Sequence, residues 1–333
     1  MVLTEGPAPF RSGADHAAGP DRAAVLTGTD SALLDLLHAL RALDYRFVTV
    51  TPETHRRAVA GRPGKAAADL RDVFGWSLPF DPGALPGAVL DALERSRMIG
   101  RAGGLRRSRI RVSSLERTLF LHSAFPTEAE DSIFLGPDSY RFARFVRSRI
   151  PALGPVRRLV DIGAGAGVGA IAAAPLVPGA RLTLTDVNPL ALRVARINAR
   201  FAGLEVETVE GPGLSAVEGP IDLAIANPPF VVDPAKRRYR DGGGMRGAAV
   251  SLEWAIEAAR RIAPGGTVLL YTGSAITDGC DGLRVALEEQ LPALGCSLDY
   301  GEIDPDIFGE LIEEPGYEGV ERIAAIGAAI RKG

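Results

Sequence analysis

Asn227-Pro228-Pro229-Phe230 follows directly on the apolar run Ile221-Asp222-Leu223-Ala224-Ile225-Ala226. The run reads as a buried strand, and two prolines stop its ladder and stiffen the turn behind it. The Asn227 side chain and the adjacent Pro228 carbonyl are thereby fixed at the strand's carboxyl end, where open α/β sheets bind ligands. Together they offer two acceptors for a planar N–H₂ group, and Phe230 offers an aromatic face to stack on it. That chemistry suits methyl transfer to an amide, amidine or amine nitrogen. Holding both protons turns the nitrogen lone pair toward the methyl, so the rate comes from in-line positioning and from matching developing charge. A protonated guanidinium also needs a carboxylate to take up a proton, and Asp131, Glu313 and Glu314 are the candidates.

A second constellation lies upstream. Arg157-Arg158-Leu159-Val160-Asp161-Ile162 reads as a strand running into Gly163-Ala164-Gly165-Ala166-Gly167-Val168-Gly169, with a helix expected from about Val168 to Ala174. Glycines here allow tight turns and close approach of backbone to ligand. The next strand, Arg181 to Thr185, ends in Asp186. An acid about 20 residues beyond such a turn is placed to bond ribose hydroxyls. Asn188-Pro189 then opens a helix with proline in its first turn.

The glycine run, with Asp161 two residues ahead of it, resembles motif I of the class I S-adenosylmethionine-dependent methyltransferases. Thr185 to Leu192 resembles the D-x-x-P-x-A-L segment of the HemK-type glutamine methyltransferases and their "small domain" relatives acting on rRNA and tRNA. Those families also carry N-P-P-[YF]. The resemblance spans roughly residues 127 to 331. It implies a Rossmann-like seven-stranded sheet with the last strand antiparallel, S-adenosyl-L-methionine as cofactor and S-adenosyl-L-homocysteine as product. It places Asp161, Gly163, Gly165 and Gly167 along the methionine portion, Asp186 on the ribose with Asn188 beside it, and Glu210 near the adenine. Pro212, in Glu210-Gly211-Pro212-Gly213, departs from the usual pattern at that last position. Glu130-Asp131-Ser132 resembles the acid-hydroxyl segment that closes over the cofactor, so Asp131 and Ser132 are expected contacts. The same residues also read as a capping turn before Asp138.

Elements to hold these residues follow from the pattern. Alternating strands and helices predict a mostly parallel sheet covered on both faces. Strands are expected at 157–162, 180–186, 204–209, 220–226, 267–271, 296–302 and 322–330, with helices at 138–149, 248–263 and near 281–291. Residues 1–29 read as an irregular arm and 30–126 as a smaller, mainly helical, winged-helix-like domain, leaving 127–333 as the catalytic domain. In the smaller domain Leu33, Leu34, Leu37, Leu40 and Leu43 mark one helix face, and further helices are expected from Thr51-Pro52, over 66–74 and over 86–97. One two-stranded ribbon, 109–113 with 118–121, closes that domain.

Charge narrows the partners. The 333-residue chain is 46% hydrophobic with a formal net charge of −3, which disfavours a protein whose main business is gripping nucleic acid. Arginines nevertheless crowd residues 95–117 with only Glu116 against them. They suit either a phosphate-binding wing or a solvated ribbon or partner surface. Residues 299–321 are strongly acidic, which suits a cationic substrate or a contact facing the arginines. The loop Tyr239-Arg240-Asp241 with Gly242-Gly243-Gly244 reads either as a substrate lid or as an ordinary surface loop, with Tyr239 and Pro229 as substrate contacts. His16, His38, His55 and His122 have no metal-site spacing, so no metal is expected, and Trp76 and Trp254 are expected in packing. Two cysteines and no long apolar stretch point to a cytoplasmic protein without a membrane span. The expected substrate is a small molecule such as arginine, or a protein glutamine. The alternative is a nucleobase of rRNA, tRNA or DNA. A homodimer is left open. A non-catalytic protein keeping the fold is opposed by the three motifs standing together.

Overall fold

The computed structural model describes residues 27–62, 66–237 and 239–333, so most of the expected N-terminal arm and His16 lie outside the described residues. Helix α1 (Gly28–Ala42) starts two residues ahead of the expected Asp30, because Thr27 and Asp30 close a reciprocal capping box. Its buried face is Ala32, Leu33, Leu36, Leu37 and Leu40, while Leu43 lies beyond the helix and is exposed. Helix α2 (Pro52–Ala60) is capped by Thr51 with proline in its first turn, as its sequence demands. Helix α3 (Leu70–Phe74) is shorter than expected, because Asp69 caps it late, and α4 (Gly87–Arg95) stops before Arg97, whose φ is positive.

The expected ribbon is present, and a further hairpin precedes it. There are two hairpins, β1 (Ile99–Ala102) with β2 (Leu105–Ser108), and β3 (Ile110–Leu115) with β4 (Thr118–Ser123). Strands of four residues rich in arginine carry little hydrophobic alternation, so the first hairpin is invisible to a period-2 reading. Helices α1, α3 and α4 share one apolar cluster with β3, β4 and with Ile197 and Phe201 of α7 (Pro189–Phe201). Asn198 of α7, fully buried, accepts from the Leu121 N–H at 2.9 Å and donates to the carbonyls of Leu121 and Ala166.

Beyond α5 (Pro137–Arg149) the chain alternates: β5 (Arg158–Ile162), α6 (Val168–Ala173), β6 (Arg181–Asp186), α7, β7 (Glu207–Glu210), β8 (Ile221–Ala226), α8 (Ala249–Arg261) and β9 (Ile262–Thr277). The two-residue β10 (Cys280–Asp281), α9 (Gly282–Gln290), β11 (Cys296–Asp304) and β12 (Arg322–Lys332) complete it. The sheet runs β11-β12-β9-β8-β5-β6-β7. Pairing is parallel from β7 through β9, and β12 lies antiparallel to both its neighbours. This is a Rossmann-like α/β sheet, with its order reversing between β5 and β8, the place where such sheets open a crevice. Strand β9 is far longer than the expected 267–271, because Pro264-Gly265-Gly266 continues the strand through a register shift instead of ending it. Apolar clusters fill both faces, one under α5 and α6 and one under α8 and α9. Both cysteines are free, and no helix of the described residues is long and apolar enough to cross a membrane.

Candidate active site

A cavity of about 990 Å³ opens at the carboxyl ends of β5, β6 and β8. Its floor is the glycine turn. Gly163 and Gly165 take φ of 64° and 53°, the left-handed region in which glycine is at no disadvantage. A Cβ on Gly163 would sit 2.5 Å from the Trp254 ring of α8, whereas one on Gly165 would meet nothing within 4 Å. The space above Gly165 is therefore cavity. Trp254, expected only in packing, forms part of the cavity wall. Gly167 does not line the cavity; it precedes α6, where a Cβ would press on Ala195 of α7 at 3.1 Å.

Two acids stand over this floor. Asp161 is 1% exposed and accepts the Ala170 N–H at 2.8 Å. Burial pushes its carboxyl up to about 7, against the opposing pull of that N–H and with a lesser push from Asp186. Asp186 accepts from Gly165 N–H on one oxygen and Asn188 N–H on the other, both at 2.9 Å, and burial raises its pKa too. Asn188 caps α7 through Leu190 N–H and donates its amide to the Asp131 carbonyl at 2.8 Å. That bond draws Asp131 and Ser132 to the cavity wall. Glu210 is exposed at the end of β7 and does not line the cavity; Gly211 and Gly213 do.

All four residues of Asn227-Pro228-Pro229-Phe230 line the cavity at the end of β8. Among the described residues none hydrogen-bonds to the side-chain amide of Asn227. The Phe230 ring lies 6.0 Å from that of Phe308 and fits only because Gly273 of β9 has no side chain to strike it. The glycine loop that follows is fastened down, unlike a free lid. Gly242 N–H bonds Val231 O at 2.8 Å, Val232 N–H bonds the Tyr317 hydroxyl at 2.9 Å, and Arg237 grips Asp233 at 2.6 and 2.8 Å. Tyr239 lines the cavity and donates its hydroxyl to Thr127 O at 2.6 Å.

Several cavity residues escaped the sequence reading. Asp138 and Ser139 repeat the acid-hydroxyl pair of Asp131 and Ser132 seven positions later, behind Gly136-Pro137. Asp138 is 3% exposed, accepts from Tyr271 Oη at 2.8 Å, and has its carboxyl pushed up by burial. The proline ahead of the pair was the available signal. Glu310 and Glu314 reach the cavity from the acidic segment, whereas Glu313 does not. Pro52, Glu53 and Arg56 of α2 close one side of the mouth, so the N-terminal elements contribute to the site. The rest of the acidic segment is partly neutralised nearby. Asp299, Glu302 and Asp304 pair with Arg149, Arg322 and Arg141, not with the arginines of 95–117.

This sheet order, a glycine turn tied to the acid on the adjacent strand, and an Asn-Pro-Pro-Phe end on β8 match the arrangement expected of a class I methyltransferase domain. Residues 143–269 match the family described as methyltransferase small domain. That stretch is thus similar to the small-domain methyltransferases. The chain is 37% identical over 123 residues to the release factor glutamine methyltransferase of Deinococcus radiodurans, covering 34% of this chain and 44% of that protein. It is 33% identical over 105 residues to the ribosomal RNA small subunit methyltransferase C of Ectopseudomonas mendocina, covering 28% of this chain and 32% of that one. The chain spans less than half the length of these curated relatives. The crystal structure of a ribosomal protein L11 methylase from Lactobacillus delbrueckii subsp. bulgaricus aligns with TM-score 0.40 and 18% identity, over 58% of this chain and 80% of that one.

Proposed function

We propose that this domain transfers the methyl group of S-adenosyl-L-methionine to a planar nitrogen, that of a small molecule such as arginine or of a protein glutamine. The observation that carries the reading is the Asn227 amide on the cavity wall, without a protein partner among the described residues, beside the Phe230 ring. The cavity's own residues fit the cofactor. Open space lies above Gly165, Asp161 and Asp138 offer buried carboxyls for a cationic amino-acid end, and Asp186 stands at the turn where ribose hydroxyls are bound. Bound there, the cofactor supplies an electrophilic methyl. Asn227 Oδ1 and the Pro228 carbonyl would accept the two N–H bonds of the acceptor, and Phe230 would stack on its plane. Transfer of the methyl would leave S-adenosyl-L-homocysteine and release one proton from the nitrogen, for which Asp131, Glu310 and Glu314, among the cavity's carboxylates, are the candidate acceptors.

The same pair of acceptors fits the amino group of a nucleobase, and the arginines near residue 100, unpaired among the described residues, favour that second reading. Methyl-labelled S-adenosylmethionine offered with free amino acids, a glutamine-bearing release-factor-like protein and total RNA separates the two. Label in the amino-acid or protein pool supports the first reading. Label in RNA alone replaces it with the second, and no label in any pool counts against both.

A further inference from the structure

Arginines of the β1–β2 hairpin have no counter-charge among the described residues. Of the stretch 95–117, Arg95 is held by Asp91 and Asp35, Arg111 is buried against the Phe47 ring, and the one acid, Glu116, is taken by Arg147 of α5. Arg97, Arg101, Arg106, Arg107 and Arg109 pair with no carboxylate among the described residues, and all but the half-buried Arg106 are exposed.

Register places these charges on both faces of the ribbon. Arg101 lies directly across from Arg106 on one face. Arg107 opposes Gly100 on the other, where the Arg109 side chain lies 3.5 Å from the position a Gly100 Cβ would take. Like charges directly opposite one another destabilise a ribbon, so this arrangement does not serve the hairpin's own stability. The ribbon is nonetheless held rigidly. Both backbone groups of Arg106 bond to Phe80, a fully buried residue, at 2.8 and 2.9 Å. Its tip is Gly103-Gly104, where an added Cβ meets nothing within 4 Å, leaving the backbone open to close approach. Arg109 O bonds Ala124 N–H at 3.2 Å, and three residues on from Ala124 the chain reaches Thr127 in the cavity wall.

We infer that the β1–β2 hairpin is a docking element for single-stranded RNA, gripping the phosphodiester backbone beside the mouth of the cavity. Guanidinium forks match phosphate oxygens two at a time. A flexible strand can wrap both faces of a ribbon, which a stiff duplex cannot. The inference rests on the nucleic-acid reading only for what the strand carries; binding of the strand is read by salt-dependent affinity, apart from methyl transfer.

The test is anisotropy of a labelled single-stranded RNA with the full chain across a salt series. Wild type should bind with log affinity falling against log salt at a slope of about −2 to −3, from three to four phosphate contacts. The double variant Arg101→Ser/Arg107→Ser should bind at least tenfold more weakly at low salt, with a slope shallower by about 1.4. Its affinity for S-adenosylmethionine should match wild type, which keeps the result separate from the methyltransferase reading and verifies the fold. RNA binding that is absent, or unchanged in the variant, would overturn the inference. So would displacement of the RNA by polyglutamate or by duplex DNA at equal charge concentration.

Discussion

The backbone N–H of Gly165 donates to a carboxylate oxygen of Asp186 across 2.9 Å, joining the turn after β5 to the end of β6. One bond therefore sets both the cradle and the acid that faces it. Because the other Asp186 oxygen is held by Asn188 N–H, the carboxylate cannot rotate without losing both. Asp186→Ala should weaken S-adenosylmethionine affinity by at least tenfold, since it removes the acid and frees the turn. Calorimetric titration of wild type and variant with the cofactor checks this. Unchanged affinity would remove Asp186 from the ribose role.

Asn198 ties the N-terminal elements to the sheet domain. Its amide serves one N–H and two carbonyls in a site with no exposure, so removing it strands three buried polar groups. Asn198→Ala should cost about 2–4 kcal/mol, read as a lower urea midpoint in equilibrium unfolding. A change under about 0.5 kcal/mol would mean that water or relaxation satisfies those groups.

Asp161 makes stability depend on pH. Its folded carboxyl sits at about 7 against an ordinary 3.8, raised chiefly by burial. The folded state therefore holds the proton more tightly than the unfolded chain. The resulting stabilisation is complete below 3.8 and is lost as pH rises through about 7. Its size is at most about 4 kcal/mol. Asp161→Asn mimics the protonated form, so its stability relative to wild type should increase between about pH 5 and 8. Paired denaturant titrations across that range test it, and a difference independent of pH would contradict the shift.

Much of this site could be read from the sequence because it depends on residues with special backbone properties. Glycines at positive φ, Pro228-Pro229 behind an apolar run and Pro189 in the first turn of α7 each force a local geometry whatever surrounds them. What could not be read from the sequence depends on tertiary direction. Gly167 belongs to the same glycine run as Gly165, yet it faces α7, because successive residues of a tight turn point different ways. Glu210 ends its strand at the right height but points to solvent. Two acid-hydroxyl pairs occur seven residues apart, and both reach the cavity, the first through the Asn188 amide and the second from the start of α5. The loop after Phe230 read either as a lid or as a surface loop, because three glycines signal flexibility. Gly242 and Gly247 instead let it pack against the Phe230 backbone, where a Cβ would collide.

In the proposed reaction Asn227 orients the acceptor nitrogen and takes no part in holding the cofactor. The most direct test of that role measures, in one preparation of Asn227→Ala, both S-adenosylmethionine affinity and transfer of labelled methyl to the acceptor pool found with wild type. Turnover should fall by at least a hundredfold, about 2.7 kcal/mol of lost transition-state stabilisation, with cofactor affinity within a few-fold of wild type. Turnover that survives, or cofactor affinity that collapses along with it, would contradict the account.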